Sequence, residues 1–385
     1  MNRSGLVSAS FLQVALRVMW QQATGVLHPE KTLPEHLRAA MAWLALAQDQ
    51  TGNGGVSAGF GRNGWRADYP ETTGYIIPTF LDYYRLSGEP AFRDRAIRMG
   101  DYELAVQDSR GAIPGGYAEP RLPEIFDTGQ VIFGWVSLFG DTGRQEYRSA
   151  AVRAGDWLLS VQAEDGSWPT HEQVGAARTY HSRVSWALVE LGLAADEPRF
   201  VRAARRQLDW TLAQQQPNGW FAKAELRMKE QPVTHTIAYV TRGLLESGAA
   251  LNEPTYIDSA RKTADALLSL QLADGSLYGV YDSQWSPRAR WRCLTGCAQT
   301  SIIWLRLYEL TGQPKYLAAA QKANRYLRQT QDLDTDGPNR GAIAGSKPFF
   351  GSYERFSYPN WATKFLADVL MLEMKLAPAQ AQVTS

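Results

Sequence analysis

One short pattern recurs through most of the chain: a glutamine, then a glycine four residues on. It stands at Gln48–Gly52, Gln107–Gly111, Gln162–Gly166, Gln215–Gly219 and Gln271–Gly275, with a looser copy from Gln331 to Gly337. The glutamines are spaced 59, 55, 53, 56 and 60 residues apart. Six units of about 57 residues place the chain among repeat architectures, where each unit is one supersecondary element that buries its apolar face against its neighbours.

Each unit has the same order. An amphipathic segment precedes the glutamine, as in 148–161 (RSAAVRAGDWLLSV), with apolar residues at three and four spacing and cations between them. That is an outer helix with one solvated face. Ahead of it lies a segment that is apolar nearly all round, as in 131–139 (VIFGWVSLF) and 301–310 (SIIWLRLYEL). That is an inner helix covered on both sides. Short connectors such as SGEPAF, ADEPRF, LNEPTY and TGQPKY join inner to outer, with proline placed to open the next helix. The inner helices are expected to begin near Thr73, Asp127, Tyr180, His235, Gln299 and Trp361. The prediction is an all-α single (α/α)6 toroid over residues 34–376, and an open solenoid is the alternative. Residues 1–33 read as an amphipathic helical extension, with Val7, Phe11, Val14, Ala15 and Val18 at helical spacing, and 377–385 as a disordered tail. A signal peptide is the other reading of the N-terminus.

A net charge of +1 gives no basic patch for nucleic acid. No apolar run approaches the roughly 20 residues of a membrane span. The expectation is a cytoplasmic protein, with membrane-surface association and a periplasmic location as alternatives. Two cysteines, Cys293 and Cys297, exclude a disulfide framework and a cysteine zinc site, and read as buried thiols. No metal or cofactor is expected. Gly59–Gly64 matches GxGxxG by letter, and Gly55–Gly59 matches GxSxG around Ser57, but neither sits in the strand-to-helix setting that gives those motifs their chemistry. The segment from Asp332 to Gly337 resembles the front of a calcium loop but lacks its closing glutamate.

The connectors from each glutamine turn to the next inner helix are long: 52–72, 111–126, 166–178, 219–234, 275–298 and 337–360. Long connectors on one face of a compact ring point to function. They and the inner-helix starts they lead into hold His171, His181 and His235, three of the five histidines, with arginines, carboxylates and many of the 43 aromatic residues. Rings stack on sugar faces and arginine grips carboxylates in bidentate fashion, so the expected ligand is an anionic, uronate-containing polysaccharide, oligosaccharide or lipid-linked precursor. The candidate binding residues are Trp65, Tyr69, Tyr117, Trp168, Trp220, Trp285, Tyr353, Arg183 and Arg292. Tyr180 and Arg183, three apart, are expected to point together into the mouth, with His181 at its wall.

The QxxDGxW turn at 162–168 resembles those of the terpenoid-cyclase and prenyltransferase toroids, but the acidic motifs of that chemistry are absent. Tyr117-Ala-Glu-Pro120, the segment 123–129 (PEIFDTG) and Ala177-Arg-Thr-Tyr-His181 are similar to the helical domain of glucuronyl 5-epimerases. That resemblance implies catalytic tyrosines in these segments. The chain as a whole, through YPETTGY, FDTGQV, YHSRVSWAL and YPNW, resembles toroid proteins of bacterial exopolysaccharide clusters, which implies a glycan context with polysaccharide-synthesis proteins as partners.

Three functions follow as expectations. Proton abstraction at carbon 5 of a uronate, by an epimerase or lyase, would use Tyr180, His181 and His235, with Arg183 and Arg292 on the carboxylate. Glycoside hydrolysis, including that of unsaturated uronides, would use Glu71 or Asp68 with Asp127. A non-catalytic glycan scaffold is the third.

Overall fold

The computed structural model describes residues 7–25, 31–172 and 175–376. Six inner helices, α3 (Pro70–Ser87), α5 (Ile125–Thr142), α7 (Ser182–Ala195), α9 (Thr234–Leu251), α11 (Leu294–Thr311) and α13 (Asn360–Leu376), alternate with six outer ones. The outer helices are α2 (Leu33–Asp49), α4 (Pro90–Val106), α6 (Gln145–Ser160), α8 (Pro198–Leu212), α10 (Pro254–Ser269) and α12 (Pro314–Arg328). Each inner helix packs on the next, and α13 returns to α3, so the ring is closed. The architecture is the (α/α)6 toroid, and the solenoid alternative falls. Inner helices carry buried residues on all sides, whereas outer helices bury one stripe and leave their cations in solvent, as their hydropathy patterns require.

The glutamines close the ring chemically as well as topologically. Each donates from its side-chain amide to a carbonyl in its own turn and to a carbonyl of the next outer helix. Gln107 reaches Gly111 and Ala150 at 3.0 and 2.9 Å, Gln162 reaches Gly166 and Ala203 at 2.9 and 3.0 Å, and Gln271 reaches Gly275 and Ala319 at 3.0 and 2.8 Å. Gln331 reaches the carbonyl of His36 at 3.1 Å and thereby ties the sixth repeat to the first. The turn glycines are obligatory for packing. A Cβ at Gly275 would stand 2.3 Å from the Lys322 carbonyl oxygen, and one at Gly166 2.5 Å from that of Arg206. In the first and last repeats the glycines in this role are Gly54 and Gly341, rather than Gly52 and Gly337, because the local turns hold extra residues.

Proline opens four of the outer helices, at Pro90, Pro198, Pro254 and Pro314, as the connector sequences require. The inner helices end in a left-handed residue at Gly88, Gly143, Asp196, Asn252 and Gly312, which turns the chain sharply into the short connector. The long connectors add only short strands. Antiparallel β1 (Gly59–Gly61), β2 (Gly64–Trp65) and β5 (Tyr358–Pro359) form one sheet, and β3 (Arg292–Cys293) pairs with β4 (Ser346–Lys347).

Helix α1 (Ala9–Thr24) buries Phe11, Val14, Ala15 and Val18, while Val7 lies ahead of it and is exposed. Its Arg17 bonds Asp332 at 2.9 Å and Asn339 at 3.0 Å, so the calcium-like loop is filled by a cation from the chain itself. Among the described residues no metal-ligand cluster occurs and no helix is long and apolar enough to cross a membrane. The tail 377–385 and His28 lie outside the described residues.

Candidate functional site

Four of the long connectors, the first, second, fourth and sixth, line a cavity of about 520 Å3 at the N-terminal ends of the inner helices. Two of its acids lie in the first turns of adjacent inner helices. Glu71 follows Pro70 in the first turn of α3, and Asp127 lies in the first turn of α5. A helix N-terminus favours a carboxylate there, yet both side chains are buried. Burial raises the Glu71 carboxyl to about 7, against the opposing pull of hydrogen bonds from Tyr69 and Tyr75 and of the Arg183 charge. Burial, followed by the nearby charges of Glu124 and Glu71, holds Asp127 well above the carboxylate range, although it accepts the Gly116 N–H at 2.8 Å.

Aromatic residues line the rest of the cavity: Tyr69, Tyr75, Tyr117, Phe126, Tyr180, Tyr239, Tyr353 and Trp361. The Tyr180 hydroxyl donates to Glu172 at 2.6 Å and its ring stands edge-on to Phe126. Tyr353 accepts a hydrogen bond from the Trp361 indole at 2.8 Å. The His235 ring lies against Tyr239, with centroids 4.2 Å apart, and against Tyr353 at 5.4 Å, and its Nδ1 is paired with the side-chain amide of Gln299. Burial first and the Arg183 charge second depress its pKa to about 3, so the imidazole is neutral at physiological pH. Arg227, from the fourth connector, is the cation lining this cavity.

Of the sequence-derived residues, Glu71, Asp127, Tyr180, His235, Tyr69, Tyr117 and Tyr353 thus meet in one cavity. The others stand elsewhere. His181 is fully buried behind the wall, edge-on to Trp168, with neither ring nitrogen hydrogen-bonded and its pKa depressed to about 3 by burial. Arg183 points away from the mouth into the opposite end of the lumen. The segment from Thr179 to His181 is a 3-10 turn, so the uniform helical rotation that would align Tyr180 with Arg183 does not apply. Trp168 is fully buried and donates to the Leu158 carbonyl at 2.9 Å. Trp220 and Trp285 pack edge-to-face, and Trp285 donates to the Asn218 carbonyl at 3.0 Å. Arg292 lies over the Tyr278 ring and bonds Ser276 at 3.3 Å. Trp65 packs on Trp43 and Phe60 and lines a shallow side groove that shares Tyr117 with the main cavity. Asp68 is held by Tyr102 and Arg121. Ser57 is buried and donates to the Arg66 carbonyl at 2.7 Å. Cys293 and Cys297 are buried free thiols.

Sequence reasoning passed over Tyr75 and Tyr239. Each sits four residues after a chosen mouth residue, Glu71 and His235, one helical turn deeper on the same face. Arg227 carried no periodic signal.

Comparison with known proteins places this geometry. The family model for the ulvan lyase N-terminal domain matches residues 127–295. None of the curated proteins compared with the chain matches it. Among solved structures, an unsaturated glucuronyl hydrolase specific for heparin aligns at a TM-score of 0.72 and 16% identity, over 90% of this chain and 98% of that one. The unsaturated glucuronyl hydrolase of Bacillus sp. GL1 aligns at 0.70 and 14%, over 88% and 96%. Cellobiose 2-epimerase of Bacillus thermoamylovorans aligns at 0.70 and 12%, over 93% and 99%. At such identities the likeness is one of fold.

Proposed function

We propose that this chain is a carbohydrate-active hydrolase that removes unsaturated uronyl groups from the ends of oligosaccharides, with residues 34–376 as the catalytic ring and 1–33 as a packed extension. The observation that carries the reading is the pair of buried, mutually repelling carboxyls, Glu71 and Asp127, at the first turns of adjacent inner helices. Two such groups ionise one after the other, which supplies an acid and a base at one pH. The likeness in fold to two unsaturated glucuronyl hydrolases supports the substrate class.

An unsaturated uronide is a vinyl ether. Asp127, held protonated, delivers its proton to carbon 4, and the positive charge moves to carbon 5, shared with the ring oxygen. Glu71 takes a proton from water, which adds at carbon 5. The hemiketal so formed opens and the glycosidic bond breaks, releasing the next sugar as an alcohol. The ring faces of Tyr117, Tyr180 and Tyr353 hold the sugar, and Arg227 is placed to meet its carboxylate.

A second reading, a uronate lyase or epimerase, is favoured by the family-model match and by Tyr180, a tyrosine on the cavity wall whose hydroxyl is oriented by Glu172. One assay separates them. Given an unsaturated disaccharide, the hydrolase abolishes the absorbance of the conjugated double bond, and Asp127→Asn does not. Given an intact uronate polymer in deuterated water, a lyase creates that absorbance and an epimerase leaves deuterium at carbon 5 without it. Either of the last two results with an inert unsaturated disaccharide replaces the hydrolase reading.

A further inference from the structure

The lumen holds a second cavity, of about 650 Å3, at the C-terminal ends of the inner helices, on the face opposite the mouth. All six inner helices contribute to it, and of the mouth residues it shares Tyr75 alone. Its rim reaches solvent at Arg85, Leu86 and Lys375. Its charge is opposite in character to that of the mouth. Six cations line it against four acids, Asp82, Glu190, Glu246 and Asp368.

Most of those charges are matched. Arg306 is bonded to both oxygens of Glu246 and to Glu309, Arg85 to Asp82, Lys375 to Glu309, and Lys364 to Asp368. Glu190 accepts from the Trp186 indole at 2.9 Å. Two arginines are left over. Arg183 has a side chain only 2% exposed, forms no ion pair with any described residue and makes one hydrogen bond, from Nε to Gln130 at 2.6 Å; its Nη1 is buried with no partner. Arg242 lies 3.6 Å from Glu246, whose oxygens are already taken by Arg306, and its Nε and Nη1 have no hydrogen-bond partner. The two guanidinium groups stand 5.3 and 5.2 Å from the same Trp186 ring. Each depresses the cationic form of its surroundings. Arg183 falls to about 10, through burial and then, among the charges, through Arg242, and Lys364 falls to about 8, through burial with both arginines opposing its charge. Two guanidiniums that feel each other's charge and have buried donors unmet are stabilised by an anion within reach of both. Apart from Thr79 and Ser137, the rest of the wall is apolar or aromatic, including Phe133, Val136, Ile302 and Met371.

We propose that this far chamber is a binding site for a small organic anion, its carboxylate taken by Arg183 and Arg242 and its apolar body by the ring-lined wall. The test uses the full chain and two isosteric probes, benzoate and benzamide, by titration calorimetry. Benzoate is expected to bind and neutral benzamide to give no heat. Arg242→Met keeps the stem and removes the charge, and is expected to weaken benzoate about ten-fold or more while circular dichroism stays unchanged. Arg183→Met is expected to do the same; because that side chain is enclosed by five rings and its loss can unfold the ring, Arg242→Met decides where Arg183→Met does not fold. Asp127→Asn, at the mouth, should leave benzoate affinity as it was. Equal binding of the two probes, unchanged affinity in Arg242→Met, altered affinity in Asp127→Asn, or no heat from benzoate with the unaltered chain overturns the proposal.

Discussion

The two ends of one lumen have opposite chemistry. The mouth gathers Glu71, Glu124, Asp127 and Glu354 around a single arginine, and the far chamber gathers six cations around four acids. Part of the reason lies in the chain path. Every inner helix runs from the mouth to the far face, so the positive ends of six helix dipoles meet the mouth acids and the negative ends meet cations such as Arg85 and Lys375 in the last turns. The rest is burial. Between the ends, Tyr75 and Tyr239 are hydrogen-bonded to each other and Arg183 lies under them, its charge felt by both Glu71 and His235. A toroid of this kind can therefore keep an acid site and a cationic site a helical turn or two apart without either neutralising the other.

The largest test of the contrast is Asp127→Asn. Loss of the proton donor should cut hydrolysis of an unsaturated disaccharide by about 10³-fold, with disaccharide binding retained in calorimetry. Turnover within a few-fold of the unaltered chain would remove the acid site from the account.

Glu71→Gln comes next, with a loss of about 10²-fold. It also carries a stability signature. The folded state raises this carboxyl from 4.5 to about 7, so it favours the protonated form, and the stability this contributes at low pH is lost as pH rises through about 7. Glutamine removes that loss. The free energy of unfolding should be unchanged near pH 4 and higher than in the unaltered chain at pH 8, by about 3 kcal/mol at most. A variant less stable at pH 8 contradicts the burial argument.

Arg183→Met probes the partition itself. Its cation favours the ionised form of Glu71, so its removal should move the acidic limb of the pH–rate profile to higher pH, by roughly half a unit. An unmoved acidic limb would mean that the two chambers are not coupled through this residue.

Tyr180→Phe removes a hydroxyl that a hydrolase uses only to hold the sugar, and turnover should fall by no more than about ten-fold. A dead variant beside an active Asp127→Asn favours the lyase or epimerase reading. The smallest effect belongs to Trp285→Ala. Its ring packs on Trp220, so glycan affinity should change less than about two-fold, while the melting temperature drops through lost aromatic packing.

The ring itself was legible because its information is local and repeated. Gln107, Gln162 and Gln271 do the same work in equivalent turns, and the apolar helices at 131–139 and 301–310 can be covered only if they face inward. The carboxylates at the first turns of α3 and α5 were legible too, since a residue that opens an inner helix has little choice but to face the mouth. Residue type in the long connectors was a weaker guide. Trp168, Trp220 and Trp285 have the composition of a sugar platform, yet Trp168 fastens its connector to α6 and the Trp220–Trp285 pair fastens the fifth connector to the turn before the fourth, because an indole that finds a backbone carbonyl and a packed neighbour is held there.

Amino-acid order alone was thus sufficient for the period, the helix alternation and the face that bears the long connectors. Those depend on patterns that repeat along the chain. Which side chains share a cavity depended on tertiary structure. A single 3-10 turn at Thr179–His181 separates Tyr180 from Arg183 and sends His181 into the wall. The raised pKa values of Glu71 and Asp127, and the unmet donors of Arg183 and Arg242, arise only when segments far apart in the chain exclude water together, since desolvation and Coulomb coupling act through space and leave no trace in residue spacing.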